Sequence, residues 1–238
     1  NTNEWSALKC ARAGGIFYLM IIVAGVIGQV FIRGSIIVPG DGALTASNIM
    51  ASPLLWRAGI AGDIMMHVFD IPLMIVLYVL LKPVNKSLAL LGLVFHIIQT
   101  AILVVNKLAL IVPLILLTNS EYLAAFASAQ INAQIVFLTD IHNYGLGLGL
   151  IFFGFACLTY GYLLLKSSYF PKIIGVLITI AGLSYLINSF TLLLAPQYSG
   201  TIFPVLVLCL IAELTLALWL ITKGVKVTEW EKMAANAH

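Results

Sequence analysis

Charged residues are scarce in this sequence, and long polar segments are missing from it altogether. Of its 238 residues only 9% are charged, against about 25% in an ordinary soluble domain. Apolar residues make up 62% of the chain, and the mean hydropathy is +1.09. A soluble chain this apolar could not cover its surface with polar groups, so we expect lipid to surround most of it. The missing polar segments exclude a separate soluble domain and predict a single membrane domain over residues 1–238.

The familiar motifs of several enzyme and cofactor classes are absent as well. The sequence has no phosphate loop, no GxSxG, no CxxCH and no dinucleotide fingerprint. A net charge of +3 is small and scattered, which argues against nucleic acid as a partner. Three cysteines, Cys10, Cys157 and Cys209, are too few and too dispersed for a disulfide framework.

Six apolar stretches are long enough to cross a bilayer, which requires about 20 residues. They predict an all-α integral membrane bundle of six transmembrane helices. The predicted spans are residues 13–37, 55–81, 87–117, 133–165, 171–194 and 202–222. Residues 120–130 are predicted to form a short interfacial helix.

Basic residues lie almost entirely on one side of these spans. The opposite loops hold Arg33, Asp41 and Glu121 with almost no other charge. Because cytoplasmic loops are enriched in lysine and arginine, the asymmetry predicts that both termini are cytoplasmic. The basic residues on that side are Lys9, Arg12, Lys82, Lys86, Lys166, Lys172, Lys223, Lys226 and Lys232.

Polar residues inside the predicted spans fall at similar depths, in the outer half of the membrane. At 1.5 Å per residue they lie about 9 to 18 Å below the outer helix ends. Arg33 and Arg57 lie above them, near the outer mouth. We therefore predict a polar pocket between helices that opens outward, with a mouth that favours an anionic group. The residues of this layer are Asp63, His67, Lys107, Asp140, His142, Asn188 and Glu213.

One local pattern favours a metal site. Asp63, His67 and Asp70 are spaced by four and three residues, which places them on one helix face. Carboxylates and imidazoles suit zinc, iron or manganese, and His142 from the fourth helix would complete a site with Asp63 and His67.

The alternative interpretation gives these residues a structural role. An unpaired buried ammonium costs several kcal/mol or loses its proton, so we expect Lys107 to pair with Asp63 or Glu213. Asp63 would pair with Lys107 or Arg57, and His67 would be hydrogen-bonded inside the bundle. For Glu213, structural pairing and a role in proton transfer both remain open.

Several motifs occur in order along nearly the whole chain. They include RAGG at residues 12–15, YVLLKPVN at 78–85, GLIFFG at 149–154, FPKIIG at 170–175 and ELTLALWL at 213–220. In these motifs the chain resembles an uncharacterised bacterial membrane protein family, domain of unknown function 4386. The resemblance implies a single domain in a bacterial cytoplasmic (inner) membrane. It implies no activity, so it assigns no catalytic residue.

Three functions are compatible with this sequence. The leading one is a protein that binds or transports a small molecule, a lipid headgroup or an ion in the outward pocket. The second is an accessory subunit of a larger membrane complex, in which the polar groups only hold the bundle together. The third is a membrane-embedded, metal-dependent hydrolase that uses Asp63, His67 and His142 with zinc or another divalent metal. The expected partners are the bilayer, a small-molecule or lipid ligand, and a complex subunit.

Overall fold

The computed structural model describes residues 7–236, and helices make up nearly all of that range, with no strand in it. The helices are α1 (Ala7–Val26), which continues as a π-helical segment (Ile27–Arg33), α2 (Gly34–Ile36), α3 (Gly42–Ala51), α4 (Pro53–Leu81), α5 (Lys86–Asn106), α6 (Leu108–Thr118), α7 (Ser120–Ala125), α8 (Ser128–Lys166), α9 (Lys172–Leu194), α10 (Ser199–Ile202), α11 (Leu206–Thr222) and α12 (Val227–Ala235). Short 3₁₀ segments, Pro196–Tyr198 and Phe203–Val205, flank α10.

These elements form six apolar helical stretches that are long enough to cross a membrane. The stretches are Ala7–Ile36, Pro53–Leu81, Lys86–Thr118, Ser128–Lys166, Lys172–Leu194 and Pro196–Thr222. The prediction of an all-α membrane protein with six spanning helices is confirmed. The cytoplasmic placement of both termini stays a prediction.

Two segments between spans differ from what the sequence indicated. The turn at Gly40, where φ is 76°, leads directly into α3, which hydropathy did not predict. Asp41 caps α3, because its Oδ1 accepts a hydrogen bond from the Leu44 amide at 2.9 Å. The interfacial helix predicted for residues 120–130 is shorter than expected: α7 ends at Ala125, and α8 already begins at Ser128.

The chain folds into two compact units that interleave along the sequence. Unit 1 consists of the residues up to Ile22, Val68–Thr100 and the chain from Gly147 onward, and unit 2 consists of Val23–His67 and Ala101–Leu146. Helices α1, α4, α5 and α8 each contribute residues to both units. The single membrane domain predicted above stays a prediction.

In unit 1, helices α8 and α9 approach each other through glycine. A side-chain carbon added to Gly182 would lie 2.8 Å from the carbonyl oxygen of Gly154, and one added to Gly161 would lie 3.0 Å from that of Gly175. Only residues without a side chain permit such backbone contact between helices. Gly154 and Gly175 lie in motifs that carry the family resemblance.

In unit 2, the beginning of α4 is fixed against α6. Trp56 is 1% exposed, and its indole nitrogen donates a hydrogen bond to the Leu110 carbonyl at 2.9 Å. Ile32 and Ile49 pack into the same apolar cluster. The anchor holds the helix that carries Asp63 in a defined position.

The third span is interrupted at Lys107, between α5 and α6. The Lys107 amide bonds to the Val104 carbonyl at 3.1 Å, and the Leu110 amide bonds to the Lys107 carbonyl at 3.0 Å, in the tighter 3₁₀ spacing. Pro113, which the sequence suggested as a kink near the end of this span, lies inside α6. The interruption at Lys107 places this lysine at a helix junction.

Candidate functional site

A cluster of three charged side chains is buried in unit 2, with Asp63 at its centre. Arg33 Nη1 lies 2.5 Å from Asp63 Oδ2, and Arg33 Nη2 lies 3.2 Å from Asp63 Oδ1. Lys107 Nζ lies 2.9 Å from Asp63 Oδ2. The side chains are 7%, 0% and 4% exposed for Arg33, Asp63 and Lys107. The expected pairing of Asp63 with Lys107 is therefore present, and Arg33 takes part as a second cation.

The π-helical segment and a glycine bring Arg33 to the carboxylate. Arg33 is the last residue of that segment, and its Nε donates to Gln29 Oε1 at 2.8 Å, which orients the guanidinium. Gly28 lies against the pair, since a side-chain carbon there would be 2.6 Å from Asp63 Oδ1 and 3.2 Å from Arg33 Nη2. A larger residue at position 28 would push against both partners.

The charges of this cluster do not balance. Two cations share one carboxylate, which leaves an excess of one positive charge when all three groups are ionised. The other carboxylates of unit 2, on Asp41, Glu121 and Asp140, are all exposed. Uncompensated charge is costly away from water, and a bound anion would reduce that cost.

A second polar pair lies in the same unit, beside the interruption of the third span. Asn106 precedes Lys107 in the chain, and its Nδ2 lies 3.1 Å from His142 Nδ1 and donates to the His142 carbonyl at 2.9 Å. His142 is 2% exposed, and the absence of a side chain at Gly145 makes room for the Asn106 amide. If Asn106 donates to the imidazole, Nδ1 of His142 carries no proton and its other nitrogen does.

The gap next to Arg33 is too narrow to admit a water molecule. Its walls are formed by Ile32, Arg33, Trp56, Gly59, Ile60 and Leu110. A ligand could reach Arg33 from this side only if the surrounding helices moved.

Unit 1 contains a separate polar group around Asp70. Asp70 Oδ1 lies 3.7 Å from His96 Nε2, and Thr100 Oγ1 donates to Asp70 Oδ2 at 3.4 Å. The imidazole of His96 lies between aromatic rings, 5.1 Å from Phe153 and 6.1 Å from Tyr160 between ring centres. The Asp70 carboxyl group therefore faces an imidazole that lies between two aromatic rings.

Glu213 in unit 1 is held by a phenol. The Tyr185 hydroxyl donates a short hydrogen bond to Glu213 Oε1, and Tyr18 of α1 faces the same carboxyl. Glu213 is 8% exposed, whereas every lysine and arginine that the structure describes in unit 1 is exposed. Lys107 pairs with Asp63, so the expected alternative of a Lys107–Glu213 pair is not observed. Of the two roles left open by the sequence, structural pairing is present through Tyr185, and a role in proton transfer stays a prediction.

The residues predicted to line one outward pocket are distributed over the two units. Asp63, His67, Lys107 and His142 are buried in unit 2. Asp140 and Arg57 belong to the same unit but are exposed, and Arg33 is buried at Asp63 instead of open at a mouth. Asn188, half-buried, and Glu213, buried, belong to unit 1. The shared outward pocket stays a prediction.

The metal site predicted from Asp63, His67 and His142 gains no support from this geometry. Within residues 7–236 no three histidine, cysteine, aspartate or glutamate side chains are grouped closely enough to hold a metal ion. Both oxygens of Asp63 already face cationic groups. Zinc or another divalent metal at this site therefore also stays a prediction.

Sequence reasoning missed three features of these clusters: the buried position of Arg33, the pair of Asn106 with His142, and the contact of His96 with Asp70. Arg33 was placed at the mouth because depth was counted from the helix end. A signal for its role was present, because an arginine four residues after a glutamine in an apolar stretch needs polar partners.

Comparison with known proteins identifies relatives without a described activity. A family model described as "Domain of unknown function (DUF4386)" matches residues 13–224. An uncharacterized protein of Archaeoglobus fulgidus is 30% identical over 170 residues, which cover 71% of this chain and 86% of that protein. No solved structure matches the chain. Since this relative is archaeal, the bacterial inner membrane implied by the resemblance stays a prediction.

Proposed function

We propose that this chain, which belongs to the DUF4386 family of unknown function, binds a small anionic molecule at Arg33 and Lys107 and carries it into or across the membrane. The ligand class is a carboxylate or phosphate group, presented by a small molecule, a lipid headgroup or a free ion.

The observation that supports this function most directly is the charge excess of the buried cluster. Arg33 and Lys107 both contact Asp63, and the remaining carboxylates of unit 2 are exposed. An anion bound at the two cations would neutralise the excess charge. A guanidinium also recognises carboxylate and phosphate through two parallel hydrogen bonds, which gives selectivity as well as affinity.

In this proposal the Asp63 carboxylate binds Arg33 and Lys107 while no ligand is present. Its carboxylate meets both nitrogens of the Arg33 fork and the Lys107 ammonium, as the carboxylate of a ligand would. An incoming anion would share or replace these contacts. Asp63 thereby keeps the two cations desolvated and oriented. An anion that binds weakly, such as chloride, would not displace the Asp63 carboxylate.

Ligand entry requires movement of the helices in this proposal, because the gap beside Arg33 has no room for a water molecule. Two structural features supply places where the backbone departs from regular α-helix: the π-helical segment that ends at Arg33 and the interruption at Lys107. Such irregular turns are frequent at functional sites of membrane helices. Each of the two cations therefore lies on a break in its helix.

The test is stabilisation of the purified protein by anions at constant ionic strength. Acetate, succinate and inorganic phosphate would each be compared with chloride in a thermal unfolding assay. A ligand present at about one hundred times its dissociation constant adds about 2.7 kcal/mol of stability. Arg33→Met and Lys107→Met should each abolish this gain, whereas Arg57→Met, which changes an exposed arginine of the same unit, should retain it.

Two results would contradict the proposal. One is that no anion of this panel stabilises the wild-type protein more than chloride does. The other is that Arg33→Met and Arg57→Met respond to the anions equally. If an anion does stabilise the protein, uptake of that radiolabelled anion into proteoliposomes would separate transport from binding alone.

One observation favours the second candidate, an accessory subunit of a membrane complex. Each charged group of the buried cluster has partners inside unit 2, and the gap beside Arg33 is too narrow for water, as expected for groups that only hold the fold together. A partner that copurifies in fixed stoichiometry from native membranes, with no stabilisation by anions, would favour this candidate. The hydrolase remains a third prediction, which bound metal in the purified protein would support.

A further inference from the structure

Unit 1 contains a cavity at one end of its helices, and none of the charged residues of the unit 2 cluster line it. Its volume is about 890 Å³. Four segments form its walls: the turn after α4, the first turn of α5, the last turns of α8, and α12. A volume of this size accommodates the headgroup of a lipid or a small phosphate compound.

Four lysines from these four segments converge on the cavity: Lys82, Lys86, Lys166 and Lys232. Glu229 is the one carboxylate among the lining residues, and its Oε1 bonds to Lys232 at 3.2 Å. The lining thus carries four positive charges and one negative charge, an excess of three. Lysines spread evenly over a cytoplasmic surface would satisfy the topology rule equally well, so their convergence on one concavity needs a further reason.

The wall contributed by α12 is held in place by packing. Val227, Trp230 and Met233 pack against the apolar core of unit 1. The Trp230 indole nitrogen donates to the Leu80 carbonyl at 3.2 Å, and the Tyr169 hydroxyl donates to the same carbonyl at 2.7 Å. Glu229, Lys232 and Met233 of the same helix line the cavity, so its concave shape exists before any ligand binds.

The first turn of α5 adds backbone donors to the lysines. Asn85 caps this helix, with its Oδ1 accepting from the Leu88 amide at 2.9 Å, and Lys86 and Ser87 follow in the lining. A helix of 21 residues begins here, and its N-terminus carries a partial positive charge that favours anions. Compact ammonium groups combined with a helix N-terminus are typical of phosphate recognition.

We propose that the cavity lined by Lys82, Lys86, Lys166 and Lys232 binds a phosphate-bearing anion, either the headgroup of an anionic membrane lipid or a soluble phosphate. This site is independent of the anion site proposed for Arg33 and Lys107. It uses other residues, and its ligand is selected by several converging ammonium groups instead of one guanidinium fork.

The experiment uses the purified full chain in a phosphate-free detergent. One arm measures retention of dioleoylphosphatidylglycerol by native mass spectrometry, with the zwitterionic dioleoylphosphatidylcholine as comparison. The other arm measures binding of inorganic phosphate by calorimetry. Because a basic residue near an anionic surface contributes about fivefold in affinity, Lys82→Gln with Lys166→Gln should weaken binding about 25-fold.

The matched control is the double variant Lys172→Gln with Lys223→Gln. Both are exposed lysines of unit 1 outside the lining, so this variant should bind like the wild type. The phosphate titration is repeated in the Arg33→Met background, which removes binding at the site proposed in unit 2. Phosphate binding that remains there and is weakened by Lys82→Gln with Lys166→Gln belongs to this cavity. The four substituted lysines, two in each double variant, are all exposed, so both variants should unfold at the wild-type temperature.

The two arms identify the source of the phosphate. Selective retention of phosphatidylglycerol assigns the site to a lipid headgroup, and binding of inorganic phosphate alone assigns it to a soluble compound. The proposal is overturned if the wild type binds neither probe. It is equally overturned if the control double variant loses as much affinity as the cavity variant.

Discussion

Replacing the three charged residues of unit 2 one at a time should give very unequal losses of stability. Asp63→Asn removes the one carboxylate and leaves two buried cations facing each other, since Arg33 and Lys107 both contact it. Stranding a buried charge costs about 3 to 5 kcal/mol, and here two are stranded. Lys107→Met instead leaves Arg33 and Asp63 as a neutral two-bonded pair, so its cost should be about 1 kcal/mol or less.

The small cost of Lys107→Met follows from two opposing contributions. The variant loses one charged hydrogen bond, typically about 1.5 to 3 kcal/mol. It also removes the excess positive charge and the desolvation of an ammonium, which offsets that loss. Arg33→Met should cost more than Lys107→Met, because Arg33 makes two contacts to Asp63 and one to Gln29.

The assay is reversible unfolding by sodium dodecyl sulfate in mixed micelles, with thermal unfolding as a second measure. The double variant Asp63→Asn with Lys107→Met should be more stable than Asp63→Asn alone, because one stranded cation is gone. The reasoning is refuted if Lys107→Met costs as much as Asp63→Asn. It is also refuted if the single losses add to the double loss within about 0.5 kcal/mol, the scatter expected for independent sites.

Three further predictions concern topology, helix packing and Glu213. A cysteine at Ser168 should react with an impermeant maleimide only from the cytoplasmic side and one at Tyr198 only from outside; the reverse pattern would overturn the proposed orientation. Gly182→Val should destabilise unit 1 by about 1 to 3 kcal/mol, because its side chain would meet the Gly154 carbonyl, whereas thermal unfolding unchanged from the wild type would contradict this close packing. Glu213→Ala should cost about 1 to 3 kcal/mol by leaving its phenol donor unsatisfied, and Glu213→Gln should cost clearly less because an amide oxygen still accepts; equal losses in the same assay would exclude this role of the hydrogen bond.

Hydrophobic length was sufficient to predict the spans, because a bilayer requires a minimum length of apolar helix whatever the tertiary packing. It could not predict α3 or α12, which are too short or too polar to register as spans. α12 owes its position to contacts such as that of Trp230 with Leu80, which join residues far apart in sequence. The lysine-lined cavity depends on that helix and was therefore missed as well.

Similar depth in the membrane predicted contacts between polar residues only where their side chains also point toward each other. Asp63 and Lys107 were expected to pair, and they do. Asp140 and His142 were assigned to one pocket because their depths are similar. Residues two positions apart on a helix point to different sides, however. His142 is accordingly buried, whereas Asp140 is exposed.

Arg33 shows why backbone irregularity limits inference from sequence. Counting 1.5 Å per residue assumes a regular α-helix, but this residue is the last one of a π-helical segment. The wider turn changes the direction in which the following side chains point. The sequence contains Gly28, Gln29 and Arg33, yet the contact with Asp63 depends on that turn and on the missing side chain at Gly28.

The two units accommodate buried carboxyl groups in different ways, and this difference predicts how each unit responds to substitution. In unit 2 a carboxylate must be ionised, because two cations depend on it for neutralisation. In unit 1 the buried acids Asp70 and Glu213 face an imidazole and a phenol, while the described lysines and arginines of that unit are exposed. A carboxyl with such partners is satisfied in either protonation state, because imidazole and phenol can donate to it and its neutral form can donate in turn. Replacement of the acid by the corresponding amide should therefore affect the two units differently. The loss of stability should be large at Asp63, where charge is required, and small at Glu213, where a hydrogen-bond acceptor is enough.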